Sequence, residues 1–236
     1  PAYLDDVNVR RALALAIDKE ALVAAIGSED YYRVLHGYVP YGLNGATSDF
    51  REEQDAVERF LEYDPETARQ LLAQAGYDES NPLSITYKYS QSVLHADVAQ
   101  ILQQMWEAVG IQCELQVVES GVFYNQIDNG DFELARYGYS SGDDPSQFLN
   151  LWTTGQQIVA AVDDPVYDQM VDEASYLVDH TEYMNAMHAA ERYLIQEQVY
   201  LIPLFNYNTP ALKKTSVQGV EMWGLVPYYG KVTLTA

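Results

Sequence analysis

The stretch Phe132-Glu133-Leu134-Ala135-Arg136-Tyr137-Gly138-Tyr139-Ser140-Ser141-Gly142-Asp143-Asp144-Pro145-Ser146-Gln147-Phe148-Leu149-Asn150 changes character twice. It begins as a strand, with Phe132, Leu134 and Tyr137 as apolar positions interleaved with Glu133, Ala135 and Arg136. It then breaks into a Gly/Ser/Asp loop and re-forms as a short helix with Pro145 near its first turn. A strand that ends in a small-residue, acidic loop exposes backbone and carboxylates together. That suits the binding of a small polar ligand.

The flanking sequence supplies the elements such a loop needs. Upstream, Leu83 to Tyr89 alternates as a strand, Ser92 to Val109 reads as a helix closed by Gly110, and Ile111 to Val118 follows as a second strand. A short helix spans Ser120 to Asn129. Nearer the start, Leu4 to Ile17 reads as an acid-started amphipathic helix, Lys19 to Ile26 as a helix capped by Asp18, and Asp64-Pro65-Glu66 as a helix start. Residues 28–60 read mostly as loop. Downstream, Asp164-Pro165 starts a helix to about Val178, and Thr181 with Glu182 starts another to about Gln198. Tyr200 to Tyr207 reads as a late strand whose Pro203 implies an edge or bulge, and the tail ends strand-like over 231–235. Strands alternating with helices predict an α/β fold, a mixed sheet flanked by helices.

Composition narrows the function classes. The chain has 236 residues, enough for one large domain or two small ones, and 48% of them are hydrophobic. Thirteen Lys+Arg against 35 Asp+Glu give a net charge of −22, which argues against nucleic-acid and anionic-membrane partners. Twenty tyrosines suit wet, amphipathic binding surfaces, although most of these rings are expected simply to pack. The single cysteine, Cys113, allows no internal disulfide, and it falls at an alternating apolar position. No apolar run is long enough to span a bilayer.

Candidate chemistry competes with plainer explanations. Gly138-Tyr139-Ser140-Ser141-Gly142 fits the G-x-S-x-G elbow of serine hydrolases. However, Gly142-Asp143-Asp144-Pro145 intervenes where the helix should begin at the serine, and no HGGG-like segment lies upstream. Asp163, His180 and His188 follow in the order of a triad, as an acidic chain readily supplies. Ser140 as a nucleophile is therefore a weakly founded alternative. The four histidines, His36, His95, His180 and His188, show no metal-ligand spacing, and no cofactor is expected. His95 opens the helix after the first strand of the unit, a strand-to-helix end where ligands commonly sit in α/β sheets. Arg136 either pairs with one of the many carboxylates or forks onto a ligand carboxylate. Asp143 and Asp144 fit either the binding of an ammonium or the forming of a turn before Pro145.

Several segments carry a family resemblance. Val9-Arg10-Arg11-Ala12-Leu13-Ala14-Leu15-Ala16-Ile17-Asp18-Lys19 resembles the "VR-AL--AIDR" segment of the extracellular solute-binding proteins of peptide ABC transporters, family 5. Asp64 to Gly76 is similar to their "A--LL-EAG" helix, and Tyr200 to Tyr207 to their "IPL--Y" segment. Leu83 to Ala99 and Asp131 to Asn150 resemble the oligopeptide-binding branch. The resemblance implies a periplasmic-binding-protein-like lobe: residues 1–236 as the distal lobe of a two-lobed protein, with residues from about 208 to 236 crossing back toward a missing N-terminal lobe. The chain starts at Pro1 with no basic or apolar leader, and the expectation is a piece of a longer, extracytoplasmic protein, periplasmic or lipid-anchored. The implied function is non-enzymatic: capture of an extended oligopeptide between closing lobes and delivery to a membrane permease.

By the same resemblance, Arg136 and His95 fall on residues that bind the peptide carboxylate, at different peptide lengths. Gly138 and Ser140 fall on the strand edge that pairs with the peptide backbone, and Tyr139 stands where a tryptophan lines a side-chain pocket. The loop that carries the family's aspartate for the peptide ammonium is one residue shorter here. Asp143 takes that role, with Asp144 as substitute. Ser120 stands where a pocket tryptophan is expected. Relatives of the family also bind nickel complexes, haem or sugars, so a non-peptide ligand on the same scaffold is the alternative.

Overall fold

The computed structural model describes residues 2–28, 30–140, 142–155, 162–208, 212–223 and 226–235. In chain order they form α1 (Val7–Leu15), α2 (Lys19–Ile26), β1 (Tyr32–Val34), α3 (Phe50–Val57), α4 (Pro65–Gln74), β2 (Ser84–Ser90) and α5 (Val93–Glu107). There follow β3 (Gln112–Val118), α6 (Ser120–Asp128), β4 (Leu134–Ala135), α7 (Ser146–Leu149), α8 (Pro165–Ser175), α9 (His180–Arg192) and β5 (Phe205–Tyr207). Four short strands, β6 (Val217–Gln218), β7 (Glu221–Trp223), β8 (Val226–Tyr228) and β9 (Thr233–Leu234), make two antiparallel pairs in the tail.

Six aspartates among the 35 acidic residues cap the starts of helices. Asp6, Asp18, Asp49, Asp64, Asp164 and Asp179 each accept a backbone N–H in the first turn of the helix that follows. A carboxylate there satisfies an orphan donor and faces the positive end of the helix dipole.

The unit that positions the site is β2-α5-β3-α6-β4. Its three parallel strands lie in the order β3-β2-β4, with Ile85 opposite Cys113 and Tyr87 opposite Leu134. The alternation of β2 buries Ile85, Tyr87 and Tyr89 on one face, and α5 covers them with Val98, Leu102 and Trp106. Ser92 caps α5 by accepting from the His95 N–H at 3.1 Å. Gly110, at φ 92°, reverses the chain into β3, a conformation that a residue with a side chain rarely adopts.

Several boundaries differ from the sequence expectation. The strand begun at Phe132 narrows to Leu134–Ala135. At its entry the ladder is closed by a side chain: a Glu133 carboxylate oxygen accepts from the Thr86 N–H at 2.7 Å and from the Tyr3 hydroxyl at 2.9 Å. Lys88, buried within β2, donates to the Asp131 carbonyl and reaches its carboxylate at 3.5 Å, fixing the turn ahead of β4. The stretch 28–60, expected to be mostly loop, contains β1 and α3. The partner of β1 is β5, paired antiparallel with Val34 opposite Phe205, so local periodicity carries no sign of it. Only Phe205–Tyr207 of the Tyr200–Tyr207 run is strand.

Helix α9 is capped by Asp179, earlier than the expected Thr181, and continues through a π-helical turn over Tyr193–Glu197. The chain then turns sharply at Val199, whose φ of 51° is rare for a β-branched residue. The surroundings hold it there. Arg10 donates to the Gln198 carbonyl at 2.9 and 2.7 Å, and Arg11 donates to the Gln196 carbonyl at 2.7 Å. These arginines of α1 cap the end of the helix, and the chain beyond is thrown across the face of the sheet unit.

The interior has two apolar clusters. One gathers α1, α2, α4 and α5 with β2 and β3, around Leu13, Ile17, Leu102 and Trp106. The other gathers α3, α6, α7, α8 and α9, around Phe50, Phe123, Phe148 and Leu194. Ile202, in the run thrown across after Val199, packs against both.

Candidate functional site

Between the clusters lies a cleft of about 990 Å³, lined by parts of residues 130–140, 198–207 and 35–40 and by the start of α5. It opens at the carboxyl ends of β2 and β4, where α/β sheets bind ligands. His95, Arg136, Gly138, Tyr139 and Ser140 all line it. Residues far apart in sequence are thus brought together on one wall.

Arg136 leaves β4 with its backbone N–H donating to the Lys88 carbonyl at 2.9 Å. Its side chain is half-buried and its Nη2 donates to the Tyr207 hydroxyl at 2.8 Å. Among the described residues no carboxylate lies within ion-pair distance of it. The structural ion pair, one of the two explanations open at the sequence level, is absent among those residues. Gly138 permits the arrangement, because a Cβ there would stand 3.0 Å from Nη2 and 3.3 Å from Cζ of Arg136. The backbone groups of Gly138, Tyr139 and Ser140 make no hydrogen bond to the described residues, and among these β4 has β2 as its only neighbouring strand. Among the described residues, therefore, an unpaired strand edge runs beside an arginine without a counter-charge.

The His95 ring is held from one side. Its Nδ1 lies 3.1 Å from the Ser90 carbonyl and 2.9 Å from the Ser90 hydroxyl. A proton donated to that carbonyl leaves Nε2 for a ligand. Burial pushes the pKa of His95 down and the Arg136 charge pushes it further, both favouring the neutral imidazole.

The acidic loop is arranged otherwise. Neither Asp143 nor Asp144 is among the described residues that line the cleft. Asp144 Oδ1 accepts from the Ser146 N–H at 2.9 Å, the Ser146 hydroxyl at 2.6 Å and the Tyr183 hydroxyl at 2.6 Å, which starts α7 and ties it to α9. Asp143 is exposed. Ser141 lies outside the described residues.

No histidine hydrogen-bonds Ser140 among the described residues: His95 is held by Ser90, His180 by the Gly45 carbonyl and His188 by Glu53. No group of His, Cys, Asp or Glu among the described residues could hold a metal ion, and no described helix is long and apolar enough to cross a membrane. Residues that the sequence did not single out complete the walls: Tyr38, Trp152, Asn206 and Tyr207.

Comparison with known proteins identifies the class. The sequence profile of the bacterial extracellular solute-binding proteins, family 5 (middle part), matches residues 1–159, and the chain belongs to that family. It is 29% identical over 222 residues to the probable deoxycholate-binding periplasmic protein YgiS of Escherichia coli, covering 92% of this chain and 40% of that protein. It is 28% identical over 218 residues to the periplasmic oligopeptide-binding protein OppA of the same organism, covering 91% of this chain and 39% of that one. The unliganded open form of the periplasmic murein tripeptide binding protein MppA superposes with a TM-score of 0.82 at 25% identity, over 98% of this chain and 45% of the other. The chain thus spans about two-fifths of the length of these curated relatives.

Proposed function

We propose that the chain is one lobe of the substrate-binding component of a peptide ABC transporter, and that it captures extended oligopeptides by strand addition. The observation that carries this is Arg136: in a chain of net charge −22 it stands beside an open strand edge with no carboxylate partner among the described residues. The edge offers backbone hydrogen bonds to any sequence, and the guanidinium fork suits the peptide carboxylate. His95 Nε2 is a second carboxylate partner. Gly138 and Ser140 present the pairing edge and Tyr139 a side-chain wall. For the peptide ammonium Asp143 is preferred to Asp144, whose Oδ1 is already engaged by three donors. The protein acts outside the cytoplasm, without catalysis, and hands its ligand to a membrane permease. The other lobe lies outside residues 1–236, and residues from about 208 onward cross back toward it.

A second reading has its own support. Leu134, Ile202, Leu204 and Phe205 give the cleft an apolar floor beside Arg136, which suits an amphipathic carboxylate of the kind named for YgiS. Calorimetric titration of the complete protein with di- to pentapeptides and with deoxycholate, wild type beside Arg136→Ala, tests both. Peptide binding that weakens roughly 10- to 100-fold in the variant is the expected result. Tight peptide binding unaffected by the substitution would remove Arg136 from the site. Binding of deoxycholate alone would replace the peptide.

A further inference from the structure

The cleft has a second polar feature away from Arg136. Tyr38, Tyr139, Phe148 and Trp152 all line it and pack edge to face: Tyr38 on Trp152 at 5.6 Å, Tyr38 on Phe148 at 6.0 Å and Tyr139 on Phe148 at 5.8 Å between centroids. Within this aromatic wall, Trp152 Nε1 and the Tyr38 hydroxyl are both buried, and neither has a hydrogen-bond partner among the described residues. Trp152 is only 5% exposed. The indole N–H lies near enough to draw the phenol pKa downward against the stronger upward push of burial, yet the two groups fall short of hydrogen-bond geometry. Buried donors left unmatched are destabilising, so such a pair invites an acceptor.

We infer that Tyr38 and Trp152 form a side-chain subsite for a neutral hydrogen-bond acceptor, the carboxamide of an asparagine or glutamine in the ligand. The aromatic rings provide a flat, apolar slot for the stem and plane of a carboxamide. Indole N–H can only donate, and the phenol donates as readily as it accepts, so the carbonyl oxygen of the amide meets two donors. A carboxylate is disfavoured. No Lys, Arg or His is among the groups that act on the Tyr38 phenol, and a buried carboxylate needs a cation beside it. An aliphatic side chain would fill the slot but leave both donors unmatched.

This inference rests on the peptide reading, and its test separates the two. In the complete protein, tetrapeptides carrying asparagine or glutamine are compared by calorimetry with their leucine or norleucine counterparts, one position at a time. The wild type is expected to favour the amide peptide by roughly tenfold at one position. Trp152→Phe and Tyr38→Phe, which leave an aromatic ring in place and remove one donor each, are expected to bring that ratio toward one. Peptides that bind with no amide preference at any position, or a preference retained in both variants, would overturn the subsite while leaving peptide capture intact. Failure of every peptide to bind would overturn the peptide reading and the subsite with it.

Discussion

Two arginines of this chain meet opposite fates. Arg51, in α3, is fully buried; its guanidinium pairs with the equally buried Glu191 of α9 and lies 3.8 Å from Asp55. Gly37 leaves the space that this guanidinium fills, and Glu191 also accepts from the Val39 N–H at 2.7 Å. Arg136, half-buried on the cleft wall, is oriented by a neutral phenol and has no carboxylate beside it. With 35 acidic residues available, the absence of one at Arg136 among the described residues is informative. A buried charge must be matched inside the fold, whereas a charge at a cleft can be left for a ligand. The first arginine joins α3 to α9, and the second is available for recognition.

The sharpest way to break this comparison is to remove each arginine and measure stability. Arg51→Ala strands Glu191 in the core and is expected to cost about 3–5 kcal/mol in urea denaturation, whereas Arg136→Ala should stay within about 0.5 kcal/mol of wild type. Comparable losses in the two variants would erase the distinction. A smaller effect comes from the phenol that orients Arg136. Tyr207→Phe removes the acceptor that orients the guanidinium and should weaken peptide binding by a few-fold, with thermal stability unchanged. An unchanged affinity would show that Arg136 needs no such support.

The gentlest test is pH. In the free lobe the pKa of His95 is pushed down by burial and by Arg136. A ligand carboxylate favours the imidazolium and raises it, so binding takes up a proton. Affinity for peptides that reach His95 should therefore be highest below the free pKa and fall as pH rises through the bound-state value. His95→Gln should flatten that slope, as titrations at several pH values would reveal.

How much of this was legible depended on the distance over which each signal acts. The caps at Asp18, Asp64 and Asp164 and the alternation of Ser84–Ser90 are local patterns, and they were readable. The convergence of Arg136 and His95 followed from the family resemblance, since no local pattern joins them. The β1–β5 pair joins Tyr32 to Tyr207, and three-residue strands carry too little periodicity to announce themselves. Tyr38 and Trp152 were invisible for the same reason: an aromatic residue reads as core until its neighbours are known. Asp144 was ambiguous in another way. Its sequence context fitted an ammonium site and a turn equally, and only the Ser146 and Tyr183 hydroxyls show where Oδ1 is engaged.

The brevity of β4 has a further consequence. A strand of two residues followed by an unpaired extended run is a template as well as a binding edge, and a second polypeptide can add to it as readily as a ligand can. Natural sheets guard such edges with charge or bulges; here the segment that follows carries Gly138, Tyr139 and Ser140 and just one charge, Arg136. The acidity of the rest of the molecule then serves a colloidal purpose. At −22, two copies repel one another before their edges can meet.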